Sequence, residues 1–350
     1  MSIESTRGLW SAGPLLAVAV ALAAAPGLAK GPAEVASATP SVGRIERLDP
    51  RFDALVPPRA VLEKVAYGAV WTEGPLWDAR AGALLFSDVP RNGVFRWKEG
   101  NGVTAFFSPS GYTGTAAFTG AEPGSNGLAF DGEGRLVLCQ HGDRRIVRRE
   151  QDGRFTVLAD RFEGKRLNSP NDLVFRSNGD LYFTDPPFGL PGAFTDPAKE
   201  LPFQGVYRLS ASGQLSVVVK DLRAPNGLGF SPDEKTLYVS NAEHARPIWM
   251  AYEVEPDGRL GPGRQFAEAS AFVKPEEGVP DGLKVDRNGN LFAAAPGGVH
   301  VFAPDGTRLG RLETGVRTGN VAWGEDGSTL FVAANHWILR LRTRTRGKGF

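Results

Sequence analysis

The sequence predicts an all-β fold, a six-bladed β-propeller of four-stranded antiparallel blades whose ring is closed by an N-terminal strand joining the last blade. Three observations carry this. First, a short polar cluster leading into an apolar strand recurs six times in 350 residues. The stretches are Thr72-Glu73-Gly74-Pro75-Leu76-Trp77, Ser125-Asn126-Gly127-Leu128-Ala129-Phe130, Pro170-Asn171-Asp172-Leu173-Val174-Phe175, Pro225-Asn226-Gly227-Leu228-Gly229-Phe230, Pro280-Asp281-Gly282-Leu283-Lys284-Val285 and Gly319-Asn320-Val321-Ala322-Trp323. Second, their oxygen-bearing second positions advance by 53, 45, 55, 55 and 39 residues, a period that suits propeller blades. Third, short β-prone runs alternate with tight-turn pairs such as Asn178-Gly179, Asp257-Gly258, Asn288-Gly289 and Asp305-Gly306, and helix-period patterns are scarce.

Taken in order, residues 1–29 read as a signal peptide. Arg7 precedes an apolar run over 15–25, and Pro26-Gly27-Leu28-Ala29 places small residues at a cleavage point near Ala29. The run is short for a bilayer span, so the expectation is a periplasmic or secreted protein free of the membrane after cleavage. Residues 30–59 read as linker and N-terminal extension, rich in Ala, Pro and Gly over 30–41. The propeller is assigned to 60–350. Cys139 is the only cysteine, so no intramolecular disulfide can form and the ring must hold by burial. Cys139 itself fits a buried strand position. A net charge of +1 gives no reason to expect nucleic acid or an anionic membrane surface.

Ala60-Val61-Leu62-Glu63-Lys64-Val65-Ala66 is a strand without a partner nearby in sequence. The second unit shows the plan of every blade: strand a from Gly127, a turn at Asp131-Gly132-Glu133-Gly134, strand b to Cys139, strand c at 145–149, a turn at Asp152-Gly153 and strand d from Phe155. The sixth unit stops at its third strand, Trp337-Ile338-Leu339-Arg340-Leu341. The orphan strand supplies its fourth and removes an exposed edge.

In such a meander the a–b and c–d turns share one face, and all of them are short. The long connections, 108–124, 160–169, 185–204 and 268–279, share the other face with the starts of strand a. Insertions gather where a site is built. That face holds the column Glu73, Asn126, Asn171, Asn226, Asp281 and Asn320, together with the strand-b ends Asp88, Gln140-His141, Asp185, Asn241 and Asn335-His336.

Asn-Gly and Asp-Gly pairs are ordinary turn formers, and Asp131, Asp152, Asp257, Asp305 and Asp326 fit that role. Asp281 differs in phase: it precedes strand a, while its unit's a–b turn is separate at Asn288-Gly289. Two carboxylates among amides suit one hard divalent ion. Calcium tolerates irregular oxygen geometry best; Mg2+, Mn2+ and Zn2+ rank behind it, zinc because only four scattered histidines accompany the single cysteine. His141 on the working face is a substrate contact or a base, His300 falls within a strand, and no nucleophile elbow, P-loop or dinucleotide fingerprint occurs.

With these motifs in hand, the chain resembles the gluconolactonase, regucalcin (senescence marker protein) and luciferin-regenerating enzyme family. Glu73-Gly74-Pro75-Leu76-Trp77, Leu84-Leu85-Phe86-Ser87-Asp88, Ser169-Pro170-Asn171-Asp172-Leu173, Phe183-Thr184-Asp185-Pro186, Pro225-Asn226-Gly227-Leu228 and Pro280-Asp281-Gly282-Leu283 carry the likeness. Arg166-Leu167-Asn168-Ser169 with Cys139-Gln140-His141-Gly142 is similar to the bacterial gluconolactonase-like branch. The resemblance implies Glu73, Asn171, Asn226 and Asp281 as metal ligands, with Asp281 also moving the proton as the catalytic residue. It implies Asn171 as a further ligand or substrate contact; Asn126, His141 and Asp185 join it as substrate-contact candidates by their place on the working face, and the base is left open among His141, Asp185 and a metal-bound water. The regucalcin-type substrate arginine is replaced here by Ser169. The implied reaction is metal-dependent opening of a small-molecule sugar lactone. A phosphotriesterase or other esterase on the same site, and a propeller that only binds a ligand or partner, are the alternatives.

Overall fold

The computed structural model describes residues 41–274 and 277–350; the signal-peptide assignment to 1–29 lies outside them. Six antiparallel meanders stand in a ring. Blade one runs Thr72–Asp78, Ala83–Asp88, Gly93–Lys98 and Gly102–Phe107. Blade two runs Ser125–Phe130, Leu136–Gln140, Arg145–Arg149 and Phe155–Ala159. Blade three is Leu173–Phe175, Leu181–Asp185, Gly205–Leu209 and Leu215–Val219. Blade four is Pro225–Phe230, Thr236–Glu243, Arg246–Val254 and Leu260–Glu268. Blade five is Leu283–Val285, Leu291–Ala295, Gly298–Phe302 and Arg308–Glu313. Blade six takes Asn320–Gly324, Thr329–Ala334 and Trp337–Arg342 from the C-terminal end and Leu62–Tyr67 as its fourth strand.

That closure is the expected one: Trp337 pairs with Tyr67 and Arg340 with Glu63. Arg340 then donates to the Glu63 carboxylate at 2.7 Å, so the alternating arginines of the last strand serve the outer face of blade six. Residues 41–59 depart from the linker expectation. Arg44–Arg47 adds a fifth strand to blade five, and Ser41–Val42 adds one to blade six. A 3-10 turn, Pro50–Ala54, buries Phe52 against blades five and six together with Leu55 and Val56. A stretch poor in strand signals still folds here because it covers two outer edges and carries three apolar anchors.

Burial follows the ring. Each apolar cluster sits between two adjacent blades: five and six, three and four, two and three, four and five, six and one, one and two. Strand b is buried throughout in blades one, two, three, five and six, which is why its sequence reads as a continuous apolar run rather than an alternating one. Cys139 is one of these buried strand-b side chains, and burial pushes its thiol well up. His300 is buried too, with Nε2 at 2.9 Å from the Pro296 carbonyl, and burial pushes it down to about 4.

Candidate active site

Strand a of every blade lies innermost, and a local irregularity aims its first residues at the axis. In blades one, two and four the a–b register slips just past the column residue, between Glu73 and Leu76, Ser125 and Leu128, and Pro225 and Leu228. Such a bulge re-aims a side chain. In blades three and five the regular ladder begins only at Leu173 and Leu283, so Asn171 and Asp281 precede it by two residues.

The six column residues are stitched into one circle. The Ser87 hydroxyl donates to the Asn126 carbonyl at 2.9 Å, Thr184 to that of Asn226 at 2.7 Å, and Ser240 to that of Asp281 at 2.7 Å. Between blades two and three the Gly127 N–H donates to the Asn171 carbonyl, and between five and six the Gly282 N–H donates to the Gly319 carbonyl, both at 2.7 Å. The closing contact is steric: a Cβ on Gly319 would fall 2.4 Å from Glu73 Oε1. The glycine that follows the column residue in blades one, two, four and five thus serves close approach. A Cβ on Gly74 would lie 2.2 Å from the Asn126 carbonyl oxygen, one on Gly227 2.4 Å from that of Asp281, and one on Gly282 1.9 Å from Asn320 Cγ.

Blade three breaks that rule with Asp172 in the glycine position. Its carboxylate reaches across the ring to blade six, where Asn320 Nδ2 donates to Oδ2 at 3.3 Å. Lys284 Nζ of blade five lies 3.9 Å from the same oxygen. Asn320 is therefore engaged across the axis, and Asp172 is a third acid beside Glu73 and Asp281. The sequence signal for Asp172 was its being the one acid at a position held by glycine in blades one, two, four and five.

Three carboxylates so placed repel. Burial and then the Asp172 charge push Glu73 up to about 8, against the pull of the Gly74 N–H and Asn320. Burial, then Glu73 and Asp172, push Asp281 well up. Among the described residues neither Glu73 nor Asp281 has an ion-pair partner, while Asn126 Oδ1 is buried without a hydrogen-bond partner. Unpaired acids and an orphaned amide oxygen fit a bound cation. Among the described residues no three His, Cys, Asp or Glu side chains converge as a metal cluster; the acids are interleaved with amides, which matches an oxygen-liganded ion rather than zinc.

His141 is buried at the end of strand b of blade two. Its Nε2 stands 3.5 Å from Asn171 Nδ2, and its Nδ1 is 2.9 Å from Glu122 Oε2. Glu122 lies on the 108–124 connection, pinned where Asn92 Oδ1 accepts from the Ser110, Gly111 and Tyr112 N–H groups and Gln140 donates to the Ser110 carbonyl. Nothing in a lone loop glutamate singled it out in the sequence. Its charge is felt at both Glu73 and Asp281.

Asp185 holds its own blade through one carboxylate oxygen, while Oδ1 is buried without a hydrogen-bond partner. Its Oδ2 accepts from the Asn168 N–H at 2.8 Å, and burial pushes it up to about 7 against the pull of the Asn168 and Ser169 N–H groups and Arg144. The same strand-b position clamps the loop entering its own blade elsewhere: Asp88 accepts from Val70 and Trp71 N–H, and Asn241 from Ala224 N–H. Asp185 is thus a loop clamp, which the spacing from Phe183-Thr184 could not distinguish from a channel residue.

Known proteins are similar to this chain. A gluconolactonase of Zymomonas mobilis is 40% identical over 314 residues, 88% of each chain. A gluconolactonase structure from Xanthomonas campestris superposes with a TM-score of 0.74 at 34% identity, covering 88% of this chain and 99% of that one. A pentonolactonase of Haloferax volcanii is 28% identical over 74% of this chain and 80% of its own length. Residues 71–336 match the family profile described as SMP-30/Gluconolactonase/LRE-like region, and with the column Glu73, Asn126, Asn171, Asn226, Asp281 and Asn320 at its axis the chain belongs to that family.

Proposed function

We infer that this chain is a lactonase that opens sugar lactones at the axial column, with one divalent ion, calcium first, as its cofactor. The observation that carries this is a pair of acids, buried Glu73 and half-buried Asp281, with no ion pair among the described residues, in a ring of amide oxygens. The gluconolactonase and pentonolactonase relatives support the substrate class. Glu73, Asn171, Asn226 and Asp281 would hold the ion, which supplies charge to balance the acids and to polarise a lactone carbonyl.

The chain's own residues do the rest. Asn126 presents its unpartnered Oδ1 to a substrate hydroxyl, and Asn171 contributes at the same rim. Asp281 takes the proton of the attacking water as the new C–O bond forms. It returns that proton to the ring oxygen as the ester C–O bond breaks, so lactone plus water gives the hydroxy acid. The Asp172–Asn320 bridge crosses the axis, and the substrate enters from the long-loop face. Ser169, where a regucalcin-type arginine would stand, holds the Pro186 carbonyl at 2.7 Å, so the sugar is oriented by amides rather than by a guanidinium.

A panel of aldonolactones, an aryl ester and a phosphotriester, assayed with and without chelator, tests the proposal. Lactone opening that is lost with chelator and restored by calcium is the expected result. Full activity in chelator, in Glu73→Gln or in Asp281→Asn would overturn the site. Turnover of the phosphotriester alone would transfer the site to the esterase alternative. Export belongs to the same proposal, and cleavage near Ala29 in protein recovered from the periplasm or medium is its check.

A further inference from the structure

The short-turn end of the ring is strapped at two seams and open at another. Between blades three and four, Glu234 of one a–b turn accepts from the Ser177 N–H and hydroxyl of the other. Lys348 of the C-terminal tail reaches the same carboxylate at 2.8 Å. Between blades five and six the tail lies lower still: the Thr345 hydroxyl donates to Asp286 at 2.7 Å, and a Cβ on Gly347 would fall 2.2 Å from Trp323 Cγ. Between blades one and two, among the described residues, no hydrogen bond joins the two a–b turns. A cavity of about 400 Å³ opens there instead, at the far end of the strand that begins at Thr72. That size is within the range of small-molecule sites.

Trp77, Phe106, Phe130 and Leu136 give the cavity apolar walls, and Arg80 and Arg149 line it with guanidinium groups. The acids of the lining are committed within their own blades. Asp78 Oδ1 accepts from the Arg80 and Ala81 N–H groups, while Glu133 takes Arg135 and Glu150 takes Arg148, both at 2.8 Å. Among the described residues neither the Arg80 nor the Arg149 guanidinium has an ion pair or a hydrogen bond. Both are nonetheless held in place. A Cβ on Gly134 would lie 2.6 Å from Arg80 Nη2, so that guanidinium rests on the backbone of the neighbouring blade's turn. Arg149 Cζ stands 5.5 Å from the centre of the Phe106 ring and 5.0 Å from that of Phe107, a cation–π placement. Two positioned guanidiniums with unused donors match a carboxylate. Aromatic and aliphatic walls match a flat apolar body. We propose that this cleft is a second binding site, apart from the axial column, that takes a small aromatic carboxylate.

Calorimetric titration of the full-length protein with naphthoate tests the proposal. Saturable binding by wild type is expected. Arg80→Gln and Arg149→Gln should each weaken it about tenfold or more, the loss of one charge-assisted contact. The cleft shares no residue with the column, so both variants should keep the wild-type thermal transition and lactone opening. Two further probes need no variant, so a substitution that disturbs the fold leaves the proposal testable. Naphthalenemethanol keeps the rings and loses the charge; inorganic phosphate keeps charge and loses the rings. Each should bind wild type about tenfold or more weakly than naphthoate. Absence of saturable naphthoate binding would overturn the site. So would naphthoate affinity unchanged in both arginine variants, which would place the ligand elsewhere. Phosphate or naphthalenemethanol binding as tightly as naphthoate would overturn the ligand class.

Discussion

Glu73→Gln separates what the column costs the fold from what it gives to catalysis. In metal-free protein the Glu73 carboxyl is pushed from 4.5 up to about 8, by burial first and the Asp172 charge second. A carboxyl raised in the folded state contributes stability that is fully present below its unfolded value and is lost as pH climbs through the folded value. Between pH 4.5 and pH 7 the loss is about 3 kcal/mol at about 1.4 kcal/mol per pH unit. Glutamine matches the protonated acid in shape and hydrogen bonding and does not titrate. Chelated Glu73→Gln should therefore equal wild type near pH 4.5 and exceed it by about 3 kcal/mol at pH 7, while lactone opening disappears. Saturating calcium should invert the order, because binding stabilises only the protein that holds the ion. Urea unfolding of both proteins in chelator and in calcium, at pH 5 and pH 7, reads all four corners. A chelated mutant less stable than chelated wild type at pH 7, or a difference indifferent to pH, would refute the reasoning that buried repulsion is stored at Glu73.

Gly282→Ala should prevent a stable ring, since the added Cβ would sit 1.9 Å from Asn320 Cγ; expression with loss of a cooperative thermal transition is the measurement. Thr184→Val removes the hydroxyl that donates to the Asn226 carbonyl and accepts from the Asp172 N–H, at a cost of about 1–3 kcal/mol in denaturant unfolding. Asp185→Asn keeps an acceptor for the Asn168 N–H but does not ionise, so KM for lactone should stay within about twofold of wild type. Its stability should match wild type below pH 3.8, gain on it progressively as pH climbs from 3.8 to about 7, and keep that lead above pH 7; a large rise in KM would return Asp185 to the substrate.

The ring was legible because a propeller writes its repeat into the chain. Turn pairs, buried strand-b runs and the incomplete sixth unit required a donor strand at the N-terminal side, and Leu62–Tyr67 fills that place. The column positions were legible because each precedes an apolar strand out of phase with its hairpin turn. What one sequence could not show is reach. Asp172 meets Asn320 from 148 residues away, and Glu122 meets His141 across a long connection. Asp88, Gln140, Asp185 and Asn241 look like channel acids and amides when only their face is known. Their side chains instead hold the loops beside them, a choice made by rotamer and not by spacing. Residues 41–59 were opaque for a related reason: their strands form only against edges that exist once the ring has closed.

The site follows from the way the repeats lose equivalence. Around the circle the residue just before Asp88, Gln140, Asp185, Asn241, Ala295 and Ala334 is Ser87, Cys139, Thr184, Ser240, Ala294 and Ala333. Three hydroxyls bridge to the next column carbonyl; where Cys139 and Ala294 stand, a glycine N–H makes the bridge instead. One geometric requirement, that adjacent inner strands approach closely without orphaning a carbonyl, is thus met in two ways, and the backbone circle survives the variation. Because backbone and strand-b groups hold the circle, the column side chains are released from structural duty. Glu73, Asn126, Asn226 and Asp281 can then remain underpartnered in the fold, which is the condition for taking up an ion or a substrate. Blade three uses the same freedom differently, placing Asp172 where four blades have glycine and drawing Asn320 across the axis. That bridge ties opposite blades across the axis, while Glu122 and His141 stand beside Asn171 on the long-loop face, so the asymmetry of the ring gathers around blade three.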